Sequence, residues 1–146
     1  MINEESRHSV GVHLLLITDG RILLGKRKNT GFADGWWHLP GGKLNAGECL
    51  PAGAIREARE ELGIAIEPED LSFAHLNHHL DADGIARVGV FFTAQCWGGA
   101  LVNAEPDRAS EIAWFRLDDL PTNFVDYALD GVRHCMKSTA FGAHGW

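Results

Sequence analysis

The 146-residue chain has little that would staple or anchor a fold. It contains three cysteines, Cys49, Cys96 and Cys135, an odd number with no CxxC spacing. That pattern argues against a disulfide framework or a zinc module and fits a reducing compartment, so a cytoplasmic location is expected. No apolar run approaches the ~18 residues of a membrane span. The opening residues MINEESRH have no hydrophobic centre, so no signal peptide is expected either. Cations are scarce as well: 13 Lys and Arg stand against 20 Asp and Glu, a formal charge of −7. This balance disfavours a broad nucleic-acid or anionic-membrane surface, yet it admits a nucleotide whose phosphates are carried by bound metal. Nothing repeats. The length suits one domain, residues 1–146, burying about two-thirds of its unfolded surface.

Hydrophobic patterning divides the chain into short elements. Val10 to Thr18 reads as a strand buried on both faces, Asp19-Gly20 as a hairpin turn, and Arg21 to Arg27 as the returning strand. Lys28 to Gly35 is loop chemistry, Trp36 to Leu39 a short strand, and Pro40-Gly41-Gly42 a turn. Leu71 to Leu80 and Ala86 to Trp97 read as paired strands across Ala82-Asp83-Gly84. A loop from Gly98 to Ser110 leads to a last strand, Glu111 to Leu117. Phe124 to Met136 has helical spacing, and the tail from Ser138 to Trp146 is expected to be loosely held. Such an order gives an α/β or α+β domain with a mixed sheet between helices.

The most informative stretch is Gly42 to Ile64. A helix is expected from Leu50 to Leu62, with Pro51 in its first turn and Gly63 as its stop. Ala54, Ile55, Ala58 and Leu62 form an apolar stripe, while Glu57, Glu60 and Glu61, at i, i+3 and i+4, share a neighbouring face. As a solvated surface this face is poorly built. Arg56 and Glu60 form the one i,i+4 pair, in the weaker orientation, and Glu60 and Glu61 lie where the helix dipole disfavours anions by roughly 0.3–1 kcal/mol each. Local rules broken in this way mark a site. A divalent cation would offset the repulsion, and carboxylate oxygens suit Mg²⁺, with Mn²⁺ the alternative.

The spacing Gly42-x5-Glu48-x7-Arg56-Glu57-Ala58-x-Glu60-Glu61-x-Gly63-Ile64 resembles the Nudix box of the Nudix hydrolases. Ala58 is smaller than the aliphatic residue usual there. The lead-in Trp37-His38-Leu39-Pro40-Gly41-Gly42 also looks like that family's approach to its box. The resemblance implies an α/β/α sandwich around a central mixed sheet. It also implies Mg-dependent hydrolysis of a phosphoanhydride in a nucleoside diphosphate linked to some group X.

Carried over position by position, Glu57, Glu60 and Glu61 become metal ligands, and Glu60 a candidate catalytic group. Arg56 resembles the arginine that ties the helix to the box loop and orients a glutamate. Glu48 either caps that loop or reaches the metal through water. Gly41, Gly42, Glu48 and Trp36 are the substrate-binding candidates. Family members often take the general base from a loop beyond the box, where Glu105 and Glu111 are the candidates. Trp37 and Trp114 are read as core, and of His78 and His79, on opposite strand faces, at most one can reach a pocket.

The chain lacks features of several branches: an SQPWPFP-like run, the coenzyme A lead-in, a downstream proline as in ADP-ribose enzymes, and a tyrosine as in diadenosine polyphosphate enzymes. By elimination it looks most like MutT-type enzymes, which convert a nucleoside triphosphate to a monophosphate and pyrophosphate. A nucleotide-sugar or dinucleotide pyrophosphatase is the alternative within the chemistry, and a non-catalytic nucleotide-binding module the alternative outside it. The expected partner is a small nucleotide, not a large nucleic acid or a membrane. Long strands and the C-terminal helix leave surface for a homodimer.

Overall fold

The computed structural model describes residues 4–146. Its strands are β1 (Ser9–Thr18), β2 (Arg21–Arg27), β3 (Trp37–His38), β4 (Gly41–Lys43), β5 (Ser72–Leu80), β6 (Ala86–Ala94), β7 (Ala109–Arg116) and β8 (Phe141–His144). Helix α1 (Leu50–Leu62) lies between β4 and β5, and α2 (Asp126–Met136) between β7 and β8. The sheet runs β3-β2-β1-β6-β5-β8, with β4 also pairing β1 and β7 also pairing β2. It is mixed: β1–β6 and β5–β8 are parallel, the other pairs antiparallel. No helix among the described residues is long and apolar enough to cross a membrane.

Period-two alternation sends successive side chains of each central strand to different helices. Val12, Leu14 and Leu16 of β1, with Val90 and Phe92 of β6, join Ala54, Ala58 and Leu62 of α1 in one core. Leu15 and Phe91 project to the other face, against Val125, Ala128 and Val132. Burial on both faces explains why β1 reads as one continuous apolar run. The sandwich implied by the sequence is therefore present.

The Asp19-Gly20 turn has positive φ at both residues, 50° and 71°, the geometry a two-residue hairpin requires. Helix α1 has the expected bounds and ends at Gly63, at φ 68° with its N–H donating to Arg59 O at 3.0 Å. Two expectations fail. Gly41-Gly42-Lys43 is not only a turn: it pairs with Gly11–His13 of β1. The tail is not loose either, because Phe141–His144 adds a parallel strand against Leu76–His79. Trp146 fastens its end, the indole N–H donating to His78 O at 2.9 Å. Smaller shifts move the start of β7 from Glu111 to Ala109, and of α2 from Phe124 to Asp126.

Strand β1 changes partner along its length, pairing β4 at Gly11–His13 and β2 at Ile17 and Thr18. Beyond that divergence β2 pairs with β3 and β7 instead. The opening between these two parts of the sheet is the cleft.

Candidate active site

The cleft encloses about 910 Å³. Its walls come from β1 (His13), β2 (Gly25, Lys26, Arg27), β3 and β4 (His38 to Lys43), α1 (Glu57, Glu61), the loop before β7 (Glu105, Arg108) and α2 (Tyr127).

Backbone proximity builds its acidic end. A Cβ on Gly41 would lie 2.0 Å from Val12 O, and one on Gly42 would lie 2.5 Å from Glu57 Oε1. Only glycine lets the chain pass between β1 and α1 at this distance. The Gly41 N–H then donates to Glu61 Oε2 at 3.1 Å. Glu57 is 8% exposed. Burial, reinforced by the charge of Glu57 and more weakly of Glu105, pushes the Glu61 carboxyl well above the usual carboxylate range.

Arg56 braces the pair from outside the cleft. Its Nε and Nη2 donate to the two carboxylate oxygens of Glu48 at 2.7 and 2.9 Å. Its Nη1 donates to Glu57 Oε1 at 2.9 Å and Glu60 Oε2 at 3.2 Å, and its Nη2 also to Lys43 O at 3.2 Å. Glu48 in turn accepts from the Asn45 N–H at 3.1 Å, closing the loop before α1, and these bonds hold its carboxyl below the usual range.

The free end of α1 positions Glu105. Its last carbonyls need donors, and the following loop supplies them: Val102 N–H to Leu62 O at 3.0 Å and Ala104 N–H to Glu61 O at 2.9 Å. The next residue is Glu105, on the cleft wall. Burial raises its pKa, with Arg108 opposing and Glu57 and Glu60 adding to the rise.

Of the residues singled out from the sequence, Gly41, Gly42, Glu57, Glu61 and Glu105 share the cleft. Glu48 does not face it; it is loop cap and partner of Arg56, so its role is the structural one of its two expected readings. Glu60 is turned to Arg56, with its side chain 52% exposed. Trp36 is 42% exposed and outside the cleft wall. Glu111 lies exposed on β7 opposite Lys26, also outside it. Trp37 is in the core beside α2, as expected, and Trp114 packs half-buried against the other core, beside α1. His78 and His79 do part to opposite faces; His79 is buried on the cleft wall.

Arg27, Arg108, His13, His38 and Tyr127 were not among the expected site residues. Arg27 donates from Nε to Phe32 O at 2.6 Å, and its guanidinium lies 5.3 Å from the centre of the Phe32 ring. Arg27 closes β2 and Arg108 lies in the loop before β7; the sequence shows both cations, but only the fold brings them to the same cleft as the acidic pair.

Among the described residues no three Asp, Glu, His or Cys side chains converge into a closed metal-binding cluster. The donor set nevertheless fits a hard dication. Glu57 and Glu61 are buried side by side, Arg56 pairs with Glu57 alone, and Glu61 gains one N–H donor, so a dication in the cleft would offset the charge that remains.

The NUDIX domain profile matches residues 6–134. The chain is 32% identical over 119 residues to the ADP-ribose pyrophosphatase of Methanocaldococcus jannaschii, covering 82% of this chain and 68% of that protein. It is 29% identical over 110 residues to the oxidized purine nucleoside triphosphate hydrolase of Mus musculus, covering 74% and 66%. The chain thus spans about two-thirds of each relative's length. Among solved structures, the MutT NUDIX hydrolase of Burkholderia pseudomallei superposes with a TM-score of 0.80 at 36% identity, covering 88% of this chain and 98% of that one. With the cleft, the glycine approach and the carboxylate pair on α1, these likenesses identify the chain as a member of the Nudix hydrolase family.

Proposed function

We propose that this hydrolase cleaves a phosphoanhydride bond in a nucleoside triphosphate, releasing the monophosphate and pyrophosphate, with Mg²⁺ as cofactor and Mn²⁺ able to replace it. The observation that carries this reading is the buried Glu57–Glu61 pair facing Arg27 and Arg108 across one cleft. An isolated pair of carboxylates would repel a polyphosphate. The same pair with a dication, opposite two guanidinium groups, binds one.

Glu57 and Glu61 would hold the cation; Glu60, on the same helix but paired with Arg56 here, would have to leave that pair to become a third oxygen donor. Bound there, Mg²⁺ supplies charge neutralisation of the phosphates and acidification of a water molecule. Arg27 and Arg108 pair with phosphate oxygens and hold the chain of phosphates in line. Glu105 takes the proton from the attacking water as its oxygen bonds to phosphorus. The bridging P–O bond breaks, and its electron pair leaves with pyrophosphate. Arg56 and Glu48 position Glu57 without touching substrate, and the backbone of Gly41 and Gly42 admits the phosphates closely. The MutT likeness and the name of the mouse relative support a triphosphate.

The name of the archaeal relative supports a second reading, cleavage of a diphosphate-linked sugar nucleotide. A panel of nucleoside triphosphates, nucleotide sugars and dinucleotides, incubated with and without Mg²⁺ and resolved by mass, decides between them. Monophosphate and pyrophosphate from triphosphates is the expected result. Turnover of nucleotide sugars or dinucleotides alone would replace the substrate. Tight binding without turnover of any compound would favour a binding module.

A further inference from the structure

Strand β8 ends the sheet order, and its pairing with β5 fixes what its outer edge offers. Leu76 N–H donates to Ala140 O at 2.8 Å, and in the parallel register Leu76 faces Phe141, Asn77 faces Gly142 and His78 faces Ala143. In such a ladder alternate residues send both N–H and C=O to the same side. Ala140, Gly142 and His144 therefore serve β5, while Phe141 and Ala143 point their backbone groups away from it. Both residues are exposed, and no strand among the described residues pairs with them on that side.

Proteins blunt such an edge with lysine, proline, a bulge or a very short strand. Phe-Gly-Ala-His has only the last of these protections. Apolar side chains gather there instead. Four of the eight exposed large hydrophobic side chains among the described residues lie on or beside this edge, so it is the most apolar part of the surface. Phe141 is 61% exposed, and Trp146, just past the strand, 65%. Phe73 opens β5 and Met136 closes α2, the two elements packed on β8.

We propose that this edge is a homodimer interface, in which β8 pairs antiparallel with β8 of a second copy about a two-fold axis at Gly142. The edge is self-complementary. With Gly142 opposite Gly142, Phe141 exchanges N–H and C=O bonds with the partner's Ala143, and Ala143 with the partner's Phe141, so every outward group is paired. The two Phe141 rings become diagonal neighbours on one face, within reach of each other, and Ala143 is small enough to leave them room. On the other face Gly142 brings no side chain to the axis; a Cβ there would already lie 3.2 Å from His134 Cε1. Helix α2 runs antiparallel to β8, with Asp130 3.6 Å from His144 and His134 over Gly142. The same axis therefore brings the Lys137 end of each α2 alongside the Asp130 end of the other, with opposite charge. A foreign strand would meet only the short backbone edge and one ring. A second copy supplies the matching ring and the matching helix charges as well, so the occupant is this chain itself.

The inference does not rest on the substrate reading, and sedimentation velocity of the full-length protein tests it. Over about 1 to 100 µM the wild type is expected to approach twice the 16.0 kDa of one chain. Ala143→Pro removes an N–H that β5 does not use, so the monomer keeps its strand. Phe141→Lys puts a charge on the edge. Each should weaken dimerisation by at least about tenfold with native circular dichroism. A wild type that stays monomeric throughout, or a dimer that either variant leaves as tight as before, overturns the proposal. Should a variant fail to fold, amide exchange of the wild type followed by NMR decides. Protection of the Phe141 and Ala143 amides that rises with protein concentration supports the interface, and exchange at those two positions that concentration does not change overturns it.

Discussion

Two clusters of titratable side chains line the cleft: Glu57 and Glu61 keep two carboxylates together in a buried place, and His13, His38 and His79 keep three imidazoles in another. Burial disfavours charge in both, with opposite consequences. The carboxyl of Glu61 is driven up. The histidines are driven down, His38 to about 3 and His79 to about 4, with burial the largest cause in each. The acidic cluster remains electrostatically incomplete and calls for a cation. The histidines resolve their burial by staying neutral. The same cost of desolvation thus raises the Glu61 carboxyl and lowers the histidines.

Substitution in the acidic cluster should produce the largest effects. Glu57→Gln and Glu61→Gln are each expected to lower kcat by at least about a hundredfold while circular dichroism stays native, because an amide cannot neutralise a dication. Glu105→Gln should cost about a hundredfold, the lower range for loss of a general base. Arg56→Lys should cost about tenfold together with a lower Tm, since an ammonium cannot bridge Glu48, Glu57 and Glu60 at once.

The histidine cluster predicts a stability effect with a definite sign. Unfolded, these imidazoles take up protons below about pH 6.5, whereas folded His38 and His79 resist protonation until about 3 and 4. The unfolded state therefore binds more protons as pH falls below 6.5. Stability present above that pH is lost at ~1.4 kcal/mol per pH unit for each such histidine. Glu61 works in the other direction: its raised pKa burdens the fold above about 4.5, and acidification relieves that burden. Urea unfolding of Glu61→Gln between pH 7.5 and 5 should consequently show a steeper acid loss than wild type. Equal slopes would dissolve the contrast between the two clusters. The smallest effects belong to Trp36→Ala and Glu111→Gln, both outside the cleft, with kcat/KM expected within about twofold of wild type.

The elements that sequence revealed well are those with a side-chain period. Helix α1 has its apolar stripe and glycine stop, and β1 and β2 flank a turn whose residues tolerate positive φ. Elements without one escaped. Strand β4 is Gly-Gly-Lys and owes its place to backbone pairing and to the absence of Cβ atoms between β1 and α1. Strand β8 is four residues long and gains its order from β5, a partner more than sixty residues earlier in the chain. The site followed the same division. Glu57 and Glu61 were legible because helical spacing brings them together. Glu105 was placed by hydrogen bonds from its loop to the end of α1, and Tyr127 by the packing of α2 over β5. His75, Asn77 and His79 alternate on one face of β5, all buried. Read as a period of two, that run was the available sign of a polar wall facing inward.

Mn²⁺ binding followed by electron paramagnetic resonance, with wild type, Glu57→Gln and Glu61→Gln side by side, tests the carboxylate pair most directly and needs no substrate. Saturable binding by the wild type, weakened at least about tenfold in each variant and competed by Mg²⁺, is the predicted result. Equal Mn²⁺ affinity in all three proteins would contradict the assignment of the pair as the metal site.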